Sequence, residues 1–216
     1  MELYRTVLRE AEAEQIIERS RFIAHIKPVC SREEADDFIA QIKGEYRDAT
    51  HNVPAMVIGD KSQIQWASDD GEPQGTSGAP MVQMLVSEGI TNVIIVVTRY
   101  FGGIKLGTGG LVRAYTSSAK LALQEAGICS VMEMISITTE IDYTYLAKLQ
   151  KLSGGDFDIA DAVYGEKVTL DLHAKAEDEE DIKGILMNLT SGSAVIKKTE
   201  KILAKKCNVI GHMLQK

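Results

Sequence analysis

A run of five β-branched residues, Val93 to Val97, leads into the stretch that most constrains the fold. That stretch is Arg99-Tyr100-Phe101-Gly102-Gly103-Ile104-Lys105-Leu106-Gly107-Thr108-Gly109-Gly110-Leu111-Val112-Arg113. A continuous apolar run of this kind is the pattern of a strand buried on both faces. Five glycines then fall between Gly102 and Gly110, a density that marks positive φ or close backbone approach. Beyond them Leu111, Tyr115, Ala119, Ala122 and Leu123 share one face of a helix. Strand, glycine loop and helix N-terminus together present free N–H groups to an anion. The same glycines also suit a loop that serves only tight helix–strand packing.

The nucleotide signatures are incomplete here. Gly102 to Gly107 has the spacing of a phosphate loop, but Thr108 stands where lysine is required, and a dinucleotide fingerprint begun at Gly107 meets Val112 instead of glycine. The chain carries 24 basic and 31 acidic residues, a net charge of −7, so it has no global field to attract nucleic acid. No acidic residue lies between Glu88 and Glu125, a window that holds Arg99, Lys105, Arg113 and Lys120. The expectation is one local, positive, concave surface made by Arg99, Lys105, Gly107, Thr108, Gly109, Gly110 and Arg113.

A second dense segment is Ser68-Asp69-Asp70-Gly71-Glu72-Pro73-Gln74-Gly75-Thr76-Ser77-Gly78-Ala79-Pro80. Ser77 is a good N-cap, and Pro80 fits the first turn of a helix carrying Met81, Met84 and Leu85. Asp69, Asp70 and Glu72 are expected to rim the basic surface. As clustered carboxylates they also suit acid/base work or magnesium ligation, and equally a hydrogen-bonded turn or ion pairs to Arg99, Lys105 or Arg113. His51, after Asp48-Ala49-Thr50, is an accessory candidate, as is Tyr100. Trp66 and Tyr100 have rings able to stack bases, although Trp66 alternates with Ile64 as a core-facing strand residue would. The four histidines and three cysteines show no metal-ligand spacing, so neither a metal nor a cofactor is expected.

With 44% hydrophobic and 25% charged residues over 216 positions, the composition is that of an ordinary globular protein. No apolar run approaches the roughly 20 residues of a membrane span, and charged residues occupy the start of the chain, so a cytoplasmic protein without membrane contact is expected. Strands are expected at Tyr4–Leu8, Glu14–Ile17, Arg21–Ile26, Val53–Ile58 and Gln63–Ala67. A capping box of Ser31 with Glu34 opens a helix carrying Ala35, Phe38, Ile39 and Ile42. From Met134 onward the texture changes to a strand with Ile135, Ile137, Thr139 and Ile141 alternating, then a helix capped by Asp142 with Leu146, Leu149 and Leu152. Strands at Phe157–Val163 and Val168–Ala174, a helix with Ile182, Ile185, Leu186 and Leu189, and a strand at Ala194–Leu203 complete a βαββαβ order. The acidic run Glu177–Asp181 reads as the first turn of that second helix. A domain boundary is therefore expected at 133/134, with a protease-sensitive connection from Gly127 to Met134 and a tail at 208–216.

Three segments carry a resemblance: Asp-Ala-Thr-His-Asn at 48–52, the Asp-Asp-Gly-Glu-Pro segment at 69–80, and the Thr-Arg-Tyr-Phe-Gly-Gly segment at 98–115. Together they resemble the YigZ/IMPACT family, whose members commonly have cysteine where this chain has Val53. The resemblance implies an α+β chain, with residues 1–133 like the second domain of ribosomal protein S5. Residues 134–207 are then a ferredoxin-like domain, like the last domain of the translocation elongation factor. It also implies a translation-linked regulatory or binding protein that contacts RNA, the ribosome or a protein partner in translation control, without catalysis. The competing expectation is an enzyme acting on a phosphorylated or peptide substrate through Asp69, Asp70 and Glu72.

Overall fold

The apolar run predicted to be buried on both faces is the centre of a five-stranded sheet. The computed structural model describes residues 2–207. The chain divides into two compact units, Leu3–Val131 and Met132–Ala204. Among the described residues it is a mixed α/β protein with two antiparallel sheets and five helices.

In chain order the first unit contains β1 (Glu2–Val7), β2 (Ala11–Ile17), β3 (Ser20–Pro28), α1 (Arg32–Glu45), β4 (His51–Ile58), β5 (Ile64–Ala67), α2 (Gly78–Ser87), β6 (Val93–Tyr100) and α3 (Gly107–Ala126). The sheet order is β2-β3-β6-β4-β5, and every neighbouring pair is antiparallel. Alternation along β6 sends successive side chains to opposite faces. Val93, Ile95 and Val97 join Phe22, Val53 and the buried faces of α2 and α3. Ile94 and Val96 meet Phe38 and Ile42 of α1. The sheet is thus covered on both sides, which is why Val93 to Val97 of its central strand are all apolar and buried.

The α1 cap differs in one detail from the expected box. Ser31 Oγ accepts from Glu34 N at 3.2 Å, but the Glu34 carboxylate accepts from Cys30 N at 2.7 Å, one residue ahead of the cap. Trp66 packs against the cluster of Phe38 and Ile42 as its alternation suggests, whereas its strand neighbour Ile64 does not. Ile64 is 42% exposed, and Trp66 is half-buried with the Arg32 guanidinium 4.4 Å from its ring centroid. β5 is an edge strand, so only part of each side chain finds cover.

The second unit follows from β7 (Ile128–Ile141) through α4 (Tyr143–Leu152), β8 (Phe157–Tyr164), β9 (Val168–Lys175), α5 (Glu179–Leu189) and β10 (Val195–Cys207). β9 lies between β8 and β7, and β10 also pairs with β7. Ile135, Ile137 and Ile141 pack with Leu149, Leu170, Leu172, Ile182 and Leu186. Asp142 makes no side-chain cap bond, and Leu152 at the end of α4 is 46% exposed. Of the acidic run, Glu177 and Asp178 form a short 3-10 turn, while Glu179, Glu180 and Asp181 open α5. Of the connection expected at Gly127–Met134, the part from Ile128 onward is the first half of β7, and the change of unit at Val131/Met132 falls within it. The tail at 208–216 lies outside the described residues. Among the described residues no helix is long and apolar enough to cross a membrane.

Candidate functional site

The three dense segments meet at the end of β6. Arg99 stands opposite Phe22 on β3 and opposite His51 on β4, and it follows Val97 on the face that packs under α3. Arg99 is only 4% exposed. Its Nη1 donates to Glu72 Oε1 at 2.6 Å and its Nη2 to Ser20 Oγ at 3.3 Å. The rings of Phe22 and Phe101 each lie 5.4 Å from the guanidinium carbon. Arg99 Nε is buried without a hydrogen-bond partner.

Glu72 is also buried, and its Oε1 accepts a second bond from the Tyr115 hydroxyl at 2.7 Å. Burial, reinforced by the neighbouring Glu72 charge, pushes the Tyr115 phenol far above its ordinary range, so it remains a donor. His51 Nε2 lies 3.8 Å from the same carboxylate oxygen. Its Nδ1 is 2.7 Å from the Asp70 carbonyl, which can only accept, so Nδ1 carries a proton there. Val53, at the family's common cysteine position, is fully buried in the core beneath α2 and α3.

The structure places the expected acidic rim differently. Asp69 is the capping group of α2: its carboxylate accepts from Gly75 N, Ser77 N, Ser77 Oγ and Gly78 N at 2.7, 3.2, 2.6 and 2.9 Å. Ser77 holds the N-cap position but makes no cap bond with its own side chain; it donates to Asp69 instead. Burial pulls the Asp69 carboxyl upward, yet the bonds from Ser77, Gly75 and Gly78 outweigh it and hold the group below its ordinary range. Asp70 accepts from Lys43 Nζ at 2.6 Å and from Asn52 N at 2.7 Å. Each carboxylate therefore answers to different partners. Among the described residues no group of three His, Cys, Asp or Glu side chains converges as a metal site.

The glycines divide by role. A Cβ on Gly102 would lie 2.0 Å from the Arg19 carbonyl oxygen, so this position needs the close approach that only glycine allows. Gly107 has φ +70°, while Gly109 is unobstructed. Lys105, Thr108 and Gly109 are exposed, as is Arg113. Arg99 and Lys105 line one cavity with Gly107 and Thr108. Arg113 and Gly110 line a neighbouring one, which Lys105 also borders. The single surface expected from Arg99, Lys105 and Arg113 is thus resolved into two depressions that share Lys105, with Arg99 inside the fold.

Tyr100 donates from its hydroxyl to Asp48 at 3.0 Å, and Arg21 covers its ring at 5.8 Å. Three contributors escaped the sequence reading. Ser20 and Thr50 brace the loop through Gly102 N and Phe101 N at 3.2 and 3.0 Å, and Tyr115, read as a core side chain, turns its hydroxyl into the site. The period-two series Ile95, Val97, Arg99 carried the missing signal, since it continues the buried face of β6 into the arginine.

Residues 18–123 match the Impact N-terminal domain. The chain is similar to IMPACT family member YvyE of Bacillus subtilis (strain 168), with 40% identity over 198 residues and 91% of each chain covered. It is 39% identical over 140 residues to IMPACT family member YigZ of Escherichia coli (strain K12), covering 64% of this chain and 69% of that one. A solved structure described as a hypothetical protein covers 91% of this chain and 97% of its own, with 33% identity and a TM-score of 0.59. The three segments that interlock around Arg99 and Glu72 are the ones that carry the family resemblance, and the chain belongs to the IMPACT family.

Proposed function

We propose that this protein is a translation-linked regulatory binding protein that contacts RNA or the ribosome through phosphate groups, without base readout and without turnover. Family membership supports the link to translation. The observation that carries the contact is local: Lys105 and Arg113 flank the start of α3, both exposed, with no ion-pair partner among the described residues of a chain whose net charge is −7. Phosphates bind at such helix starts because backbone N–H groups and side-chain cations act together. In this reading residues 1–133, with an S5 domain 2-like fold, present the contact, and residues 134–207 form a ferredoxin-like partner domain. A protein partner in translation control would engage the same unit, and the site of action is the cytoplasm.

The test is binding of single-stranded RNA across a salt series. Lys105→Ala and Arg113→Ala should each reduce the salt slope by about 1, the loss of one phosphate contact. Unchanged slopes in both variants would remove the contact surface. Turnover of a phosphorylated or peptide substrate that disappears in Asp70→Asn would replace the binding reading with an enzymatic one.

A further inference from the structure

We propose that a second copy of this chain docks along β5 and α2, joining two five-stranded sheets edge to edge. β5 ends its sheet, with β4 beside it and α2 packed over both strands. An unpaired strand edge is a template for another chain, and proteins blunt such edges with charge, bulges or cover. Among the described residues the other edges are blunted. β2 exposes Glu12 and Glu14 and lies under α3. β8 exposes Asp158 and Asp161 and is broken by a bulge between Ile159 and Asp161. β10 carries Lys197 and Lys198, and β1 carries Arg5. β5 has no charge, no proline and an unbroken register with β4.

The register of β5 suits pairing with itself. Ser68 N donates to Pro54 O at 3.2 Å, and the next pairs along are Ala67 with Ala55, Trp66 with Met56 and Gln65 with Val57. Hydrogen-bonded and non-hydrogen-bonded pairs alternate in an antiparallel ladder. Trp66 therefore bonds to β4, while Gln65 and Ala67 turn their N–H and C=O groups outward. A two-fold axis at Trp66 sets Gln65 opposite Ala67 of the second copy, and each such pair exchanges two backbone bonds. The two Trp66 side chains then form the closer, non-hydrogen-bonded pair, where cross-strand aromatic contact is strongest.

Charge is the independent observation. Two identical chains of net charge −7 repel unless the surfaces that meet are neutral. No charged residue occurs at 62–68 or at 73–87, which together hold all of β5 and α2. Ala79, Val82 and Gln83 line a depression of about 360 Å³ beside β5, and Val86, 40% exposed, continues their stripe one turn on. Because α2 lies over β4 and β5, strands about 4.8 Å apart, the same axis brings the two α2 helices antiparallel at roughly 10 Å, a normal packing distance. An extended foreign segment would pair with β5 but leave Val82 and Val86 bare, whereas a second copy covers both. The contact is isologous and closes at two chains. This inference does not rest on RNA binding.

The experiment is sedimentation velocity of the full chain from about 1 μM to 1 mM, with Trp66 emission recorded in parallel. Trp66 is the sole tryptophan and is half-buried in one copy, so its emission should move to the blue as dimer forms. Val86→Lys, at an exposed helix position, sets like charges across the axis and should weaken the dimer at least tenfold. Gln65→Pro removes an N–H that faces away from β4 and should abolish the dimer, with thermal melting showing that each variant stays folded. A monomer at every concentration, a dimer with unmoved Trp66 emission, or a dimer equally tight in Val86→Lys would each overturn the proposal. So would a monomer whose Trp66 emission moves only when a Thr- and Val-rich heptapeptide is added, since the edge would then take foreign strands instead.

Discussion

Arg99 and Glu72 form an ion pair at 2.6 Å in which both side chains are at most 5% exposed. Two charges so enclosed are stable only together, because the partner left behind would be an uncompensated buried ion.

Glu72→Gln should therefore destabilise the protein by about 3–5 kcal/mol, the range for breaking one side of a buried pair. Combining it with Arg99→Met should cost less than the sum of the two single changes. Urea unfolding of the four proteins in this cycle checks the point, and strict additivity would show that the pair is not coupled.

Asp69→Ala removes the acceptor for four bonds at the start of α2 and should cost about 1–2 kcal/mol, as lost N-caps do. Ser77→Ala should cost less, since Asp69 keeps its backbone donors. Because folding lowers the Asp69 carboxyl from its ordinary 3.8, its contribution is present above that pH and disappears as pH falls through the lowered value. Acid titration of stability should show a shallower fall below pH 4 in Asp69→Asn than in the parent.

Two glycines, Gly102 in the loop and Gly109 in the first turn of α3, should respond oppositely to alanine. Gly109→Ala should stabilise the fold by roughly 0.5–1 kcal/mol, because alanine is the better helix former and the space is open. Gly102→Ala would place a methyl 2.0 Å from the Arg19 carbonyl oxygen and should unfold or strongly destabilise the chain. Thermal melting of both variants decides it.

His25 supplies a pH dependence at the other end of the range. It is 4% exposed, its Nε2 has no partner, and Glu12 Oε2 lies 3.1 Å from Nδ1. Burial holds the imidazole below its ordinary 6.5 against the opposing attraction of Glu12. The unfolded chain then takes up the proton first, so stability should be full above pH 6.5 and decline as pH falls from there to the folded midpoint. An NMR titration placing the His25 midpoint above 6.5 would reverse the sign.

The elements were legible wherever hydrophobic period and burial agree. β6, α1, α3 and the alternation in β7 all follow from side chains that must leave water, and the βαββαβ order follows from their spacing. The site was legible only as a set of separate residues. Asp69 caps a helix eight positions away, and Arg99 reaches Glu72 across 27 positions. Such partners are chosen by sheet register, which no local pattern records. At Gly127–Met134 the change of texture falls where the units change, but no local pattern there records that the chain beyond Gly127 runs on as strand. Limited proteolysis should accordingly leave residues 128–134 intact.

The spread of the bonds around Glu72 also governs when the site can exist. Its carboxylate waits for Arg99, 27 residues later, and for Tyr115, 43 residues later. Contacts closed over such distances form after local helices do, because the loop entropy must be overcome first. During synthesis, a nascent chain that has not yet released Tyr115 from the exit tunnel has α1 but no fully enclosed Arg99–Glu72 pair, so this buried cluster closes late and all at once.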